Sequence, residues 1–238
     1  MTQILIADSK SIQQAADCIK SGGVVILPTS TNYNILCDPF NEAAVKRLFE
    51  VKRRTKFGPL TLYLPSISAI SAYTLPTPGF DFKIAETLWP GEVSFILYKQ
   101  NIISDAVTCG GNTIAVTHHA NPVLQQVIET WGKPLSGSSA NLSGQGDIFV
   151  TVEKAAQDLG ENVDLILNAG ETTAASHPSV NKSNSIVDFS FQPPFLVRRG
   201  VIGTETLQQI IPDLIVDPDL YKVKLKERLS KTNLSPQL

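Results

Sequence analysis

Short apolar runs alternate with amphipathic stretches along this chain. Residues 24–27, 60–64, 93–98 and 114–116 are brief hydrophobic segments punctuated by Gly, Pro or Thr, the pattern of buried strands. Further strands are expected near residues 165–167 and 186–189. Residues 11–20 place Ile12, Ala15, Ala16 and Ile19 at helical spacing. Asn41 stands as an N-cap before a helix running to Val51, with Ala44, Val45, Leu48 and Phe49 on one face. Helices are also predicted at 123–131, at 152–159 behind Thr151 as N-cap, and near 205–211. This alternation predicts an α/β fold: a single twisted mixed sheet flanked by helices. Residues 172–185 lack periodicity and read as a mobile loop.

The chain is 238 residues long, enough for one large α/β domain with a short appendage. The division expected is a domain over 1–204, then a helix and basic tail over 205–238. Its 20 basic and 22 acidic residues leave a net charge of −2. That excludes a uniformly basic nucleic-acid surface but not a local basic cleft. Cys18, Cys37 and Cys109 form no CxxC pair, and the histidines show no zinc spacing. The start carries no signal-peptide pattern and no run approaches about 18 apolar residues, so a cytoplasmic protein without a membrane partner is expected. The stretch YKVKLKERLSK near the end reads as a solvated tail or, in a sharper reading, as an RNA or partner contact.

Four segments carry candidate chemistry. Thr29, Ser30 and Thr31 follow a strand, where α/β sheets commonly meet ligands, although an ST-turn alone would also explain them. Lys52, Arg53, Arg54 and Lys56 crowd the end of a helix, suiting its dipole or a phosphate. In PLSGSSANLSG, serines and Asn141 alternate with small residues that let a ligand approach the backbone. Arg198 and Arg199 follow an apolar run and precede Gly200, a small turn that would let an Arg reach over a cleft. No carboxylate pair, Ser-His-Asp order or Cys-His pairing stands out. The inventory suits binding a phosphorylated ligand and stabilising negative charge.

Together, GGVVILPTSTNY, CDPFNEAAVKRLFEVKRR, LWPGEVSFIL, TIAV, PLSGSSANLSG, SIVD and LVRRG resemble the YrdC-like family, the L-threonylcarbamoyl-adenylate synthases of tRNA modification. The family's KxR and SxN signature is present as Lys52-Arg53-Arg54 and Ser139-Ala140-Asn141. The resemblance implies a large positively lined cavity and a nucleotidyltransferase reaction. L-threonine, bicarbonate and ATP would give threonylcarbamoyl-AMP and pyrophosphate, with Mg²⁺ arriving on ATP. Partners would include tRNA or tRNA-modification proteins. By position, Lys52 and Arg54 would be catalytic. The nucleotide would meet Lys52, Arg54, Thr113, Ser139, Asn141 and Arg198. The amino acid would meet Thr31, Tyr63, Thr117, Ser139 and Asn184.

Several positions depart from the family pattern. PTDTxYG reads Pro28-Thr29-Ser30-Thr31-Asn32-Tyr33-Asn34, Gly58 replaces a Lys, and Asn184 replaces the Ser of STVVD. The Arg of VRxP, expected to grip the amino-acid carboxylate, is Thr117. Losing such a contact costs about 1.5–3 kcal/mol, or about 10- to 100-fold in affinity. His118 or His119 could supply the missing cation if protonated. Two other readings follow: a paralogue with another amine substrate or without catalysis, and a nucleotide- or RNA-binding protein using the same cavity.

Overall fold

The apolar run behind Gly22-Gly23 forms strand β2 (Val25–Pro28), buried at every position, as a strand covered on both faces must be. The computed structural model describes residues 2–53, 58–145, 148–179 and 181–231. Its other strands are β1 (Gln3–Ile6), β3 (Tyr33–Cys37), β4 (Thr61–Tyr63), β5 (Val93–Tyr98), β6 (Thr113–Thr117), β7 (Leu135–Ser139), β8 (Leu165–Asn168), β9 (Ser185–Asp188) and β10 (Phe195–Arg198). Among the described residues these form one mixed sheet in the order β1-β8-β2-β3-β7-β4-β6-β5-β9-β10. The predicted single mixed sheet is therefore present. Two centrally placed strands were not predicted. Strand β3 lies in the polar-flanked segment after the hydroxyl cluster, and β7 lies in the serine-rich segment, for which no strand was predicted.

The helices are α1 (Ser9–Lys20), α2 (Glu42–Val51), α3 (Ile70–Tyr73), α4 (Phe82–Leu88), α5 (Asp105–Thr108), α6 (Pro122–Trp131), α7 (Val152–Leu159), α8 (Thr204–Ile210) and α9 (Pro218–Lys231). The predicted caps are present: the Asn41 side chain accepts from the Ala44 N–H and Thr151 from the Lys154 N–H. Asn121 caps α6 by accepting from the N–H groups of Val123 and Leu124. Each cap satisfies backbone donors that a helix start leaves open.

The core has two parts. Ile12, Ile19, Leu27, Leu124 and Ile128 join α1 and α6 on one face of the sheet. Val45, Leu48, Leu62, Phe95 and Phe189 belong to the larger cluster, which includes residues of α2. Within that cluster Trp89 stacks on Phe95 with ring centroids 4.7 Å apart, and its indole N–H donates to Val93 O at 2.7 Å. Strand β5 pairs in parallel with β9, with Ser94 opposite Ile186 and Asn184 just before the start of β9.

The segment 172–185, expected as a mobile loop, is anchored at its described residues. A 3-10 turn spans Thr173–Ser176, Thr172 Oγ1 donates to Thr31 O at 2.5 Å, and Ala174 N–H donates to Ser30 O at 3.0 Å. The basic C-terminal stretch is not a solvated tail. It is helix α9, whose Tyr221 and Leu229 are buried. Tyr221 Oη donates to Asp188 at 3.1 Å, and the Arg228 guanidinium lies 3.5 Å from the Phe191 ring centroid. Aromatic and arginine contacts outweigh the charge run that made this stretch look solvated.

Candidate functional site

A cavity of about 420 Å³ opens across the strand ends. Lys52, Arg53 and Arg198 line it, and none of its described lining residues is Asp or Glu. The expected positive lining is thus present. A larger groove of about 610 Å³ lies behind α2, lined by Arg47, Arg53, Glu50, Glu161 and Asp164. Arg47 there is bound to Asp164 at 2.5 Å, and the mixed charges converge on nothing. The smaller cavity gathers the residues singled out from the sequence.

Its first wall joins the helix-end cations to the serine-rich segment. Lys52 caps α2 and is buried, at 3% exposure. Its Nζ donates to the carbonyl oxygens of Ser139 and of Asn141, the latter at 2.7 Å. Ser143 N–H returns a bond to Lys52 O at 3.1 Å. Within the loop, Ser139 Oγ donates to Asn141 Oδ1 at 2.6 Å. Lys52 and the Ser139-Ala140-Asn141 triplet are thus one structural unit. Arg53 follows with φ of 49°, a left-handed conformation that non-glycine residues adopt at a cost. Arg54 and Lys56 lie outside the described residues.

Thr29, Ser30 and Thr31 are all buried at the end of β2. Thr29 Oγ1 donates to Asn32 O at 2.7 Å, so an ST-turn is present, and Thr31 still reaches the cavity. Thr31 Oγ1 donates to Asn184 Oδ1 at 3.1 Å. The Asn184 amide nitrogen faces Ser94 Oγ at 3.1 Å, His119 Nε2 at 3.0 Å and Thr117 Oγ1 at 3.4 Å. Asn184 therefore ties together the ends of β2, β5, β6 and β9.

His119 cannot supply the expected cation. Its ring is buried and stacks on Tyr63, with centroids 5.7 Å apart. Burial, aided by neighbouring His118, pushes its pKa down to about 3. A neutral ring accepting at Nε2 carries its proton on Nδ1, which has no hydrogen-bond partner. His118 does not line the cavity among the described residues, and its Nδ1 lies 3.0 Å from Leu64 O. Thr117 also brings no charge: its hydroxyl donates to Val93 O at 3.1 Å.

Tyr63 lines the cavity and its hydroxyl is bonded by the Asn34 amide. Burial pushes the phenol up to about 12, against the opposing pull of Asn34 and of the Arg198 charge. Asn34 stands where the family pattern has Gly, so its side chain fills space there. Its Oδ1 is buried without a partner. Arg198, at the end of β10, lines the cavity and donates from Nε to Asn184 O at 2.9 Å. Gly200 makes this possible, because a Cβ there would strike the backbone of Ser183 and Asn184.

The structure thus brings Thr31, Lys52, Tyr63, Ser139, Asn141, Asn184 and Arg198 to one cavity, with Thr117 directly behind Asn184. Thr113 is the exception. It sits at the other end of β6, paired with Tyr98, and is not among the described lining residues. Period-2 alternation puts Thr113 and Thr117 on one face, but three residues of strand separate them. Asn32, Asn34, Ser94 and Ser183 also line the cavity, and sequence reasoning missed their roles. The only signal available was a polar side chain inside or beside an apolar run.

The Sua5/YciO/YrdC family model, described as "Telomere recombination", matches residues 17–200. This chain therefore belongs to the Sua5/YciO/YrdC family. It is 28% identical over 210 residues to the threonylcarbamoyl-AMP synthase of Pyrococcus abyssi, covering 88% of this chain and 60% of that protein. It is 32% identical over 171 residues to the threonylcarbamoyl-AMP synthase of Vibrio vulnificus strain YJ016, covering 71% of this chain and 91% of that protein. It superposes on P. abyssi Sua5 complexed with L-threonine with a TM-score of 0.84 at 28% identity, over 92% of this chain and 64% of that one. The E. coli YciO crystal structure shares the fold, with a TM-score of 0.76 at 22% identity, over 89% and 100% of the two chains. The chain spans about three-fifths of the length of the Pyrococcus and Bacillus subtilis relatives.

Proposed function

We propose that this protein is a threonylcarbamoyl-AMP synthase, joining L-threonine, bicarbonate and ATP with release of pyrophosphate. The observation that carries the reading is the Lys52–Ser139–Asn141 unit: a buried cation and a hydroxyl-amide loop locked together at one mouth of a cavity with no Asp or Glu among its described lining residues. Such a wall suits phosphate oxygens. By the family signature, Arg54 would share that grip. Mg²⁺ would arrive on ATP and keep phosphate and water ligands, since the described lining offers no carboxylate.

The chemistry needs positioning more than a protein nucleophile. The threonine nitrogen attacks the bicarbonate carbon, and water leaves to give a carbamate. A carbamate oxygen then attacks the α-phosphorus, and the bond to pyrophosphate breaks. Asn34 Oδ1, a buried acceptor without a partner, suits an N–H of the incoming amine. The product would serve tRNA modification in the cytoplasm.

Pyrophosphate release is the test. With ATP and bicarbonate present, release should depend on L-threonine. Turnover with a different amine and none with threonine would reassign the substrate. Nucleotide binding without any amine-dependent release would make the cavity a binding site only.

A further inference from the structure

Helix α7 carries a carboxylate where helix electrostatics oppose one. Asp158 lies in its last turn, beside the final residue Leu159, at the negative end of the dipole. The side chain is nevertheless only 7% exposed. Two groups hold it there. Lys154, at the i,i+4 spacing on the same helix, bonds the carboxylate at 2.6 Å. The backbone N–H of Leu142 donates to Asp158 Oδ2 at 3.2 Å.

Leu142 directly follows Ser139-Ala140-Asn141, and Ser139, Asn141, Leu142, Ser143 and Gly144 all line the cavity. This loop is held by two opposite charges. Lys52 Nζ donates to the carbonyl oxygens of Ser139 and Asn141, and Asp158 accepts the N–H of the next residue. Each is a charge-assisted bond to backbone, stronger than a neutral pair. Asp158 itself is not among the described lining residues. Lys154 compensates its charge, so the loop gains an anchor with no bare carboxylate beside a site suited to anions.

We propose that Asp158 is a positioning residue for the nucleotide: by holding the Leu142 N–H it keeps Ser139 and Asn141 in place beside Lys52. The inference rests on the synthase reading above. Asp158 acts only through the loop. Its loss frees the Leu142 end of the loop while Lys52 still holds the other, so the wall loses its shape and keeps its cation.

The experiment uses the full chain as wild type, Asp158→Ala and Asp158→Asn. Calorimetry measures ATP affinity, hydrogen exchange reads residues 139–145 against β2 and β3, and pyrophosphate release reports turnover. Asp158→Ala should weaken ATP binding about tenfold and speed exchange in 139–145, with β2 and β3 unchanged. Asp158→Asn, whose amide oxygen can still accept from Leu142, should recover most of the affinity and the protection. ATP affinity in Asp158→Ala within about twofold of wild type overturns the inference, as does unchanged exchange in 139–145. Exchange that rises equally in β2 and β3 also overturns it, because the carboxylate would then support the fold as a whole. Equal losses in the two variants overturn it too, because the acceptor would not be what matters. Wild type that binds ATP but releases no pyrophosphate overturns the synthase reading alone, and the affinity and exchange comparisons then decide the role of Asp158. Wild type that does not bind ATP overturns both.

Discussion

Lys52 Nζ lies 2.7 Å from the carbonyl oxygen of Asn141, so a helix-end cation holds the serine-rich loop that forms the other half of the proposed phosphate wall. The side chain therefore has two duties. Lys52→Met should weaken ATP binding by at least tenfold and also destabilise the fold by about 1–3 kcal/mol, because buried carbonyls lose their donor. Calorimetry and denaturant unfolding on the same protein separate the two effects. A variant with full stability and no ATP affinity would mean that the carbonyl contacts carry no weight.

The buried His119 gives stability a pH signature. Its folded pKa is about 3 against an ordinary value of 6.5. Between those values the unfolded state binds a proton that the folded state refuses, so stability rises with pH there. The contribution is complete above about pH 6.5 and is lost as pH falls toward 3, with a slope approaching about 1.4 kcal/mol per pH unit. His119→Gln should flatten the unfolding profile across that window by about this slope. Identical slopes in wild type and variant would show that the ring titrates normally.

Restoring a cation at the end of β6 should fail. Thr117 is 1% exposed and sits behind Asn184. Thr117→Arg would force a guanidinium into filled space among neutral partners, costing about 1–3 kcal/mol or more. Thermal melting should show the loss, and threonine affinity should not improve. A stable variant with tighter threonine binding would show that the space is open.

The tail helix is held at Asp188. Tyr221 Oη donates to a carboxylate that burial pushes above its ordinary pKa. Tyr221→Phe removes this donor and should destabilise the docked helix by about 1–2 kcal/mol. Hydrogen exchange in residues 218–231 should rise while exchange in β2 and β3 stays unchanged. Equal protection in both proteins would mean that packing at Tyr221 and Leu229 suffices.

Much of the fold was legible in the sequence. Asn41 and Thr151 announced their helices because capping is local chemistry, and the strands of Val, Ile and Leu announced themselves by burial. Strand β7 was hidden because its residues are Ser and Gly. It is a strand through its neighbours: Gly137 leaves room for Ile35 O, which a Cβ would strike. The cavity was legible as separate triplets, and the resemblance joined them. What the sequence could not convey was which polar groups satisfy each other. Asn184 was read as a ligand contact; it lines the cavity, and its side chain is also a hub of buried hydrogen bonds. His119 looked like a substitute cation, and burial keeps it neutral.

The central claim is that one cavity joins carbon from bicarbonate, nitrogen from threonine and phosphorus from ATP. Incubation with ¹³C-bicarbonate, L-threonine and Mg²⁺-ATP, followed by mass spectrometry, tests it directly. The account predicts a threonylcarbamoyl-AMP that carries the ¹³C label and forms only when all three substrates are present. An unlabelled adenylate, or ATP bound and recovered unchanged in the presence of threonine and bicarbonate, would contradict it.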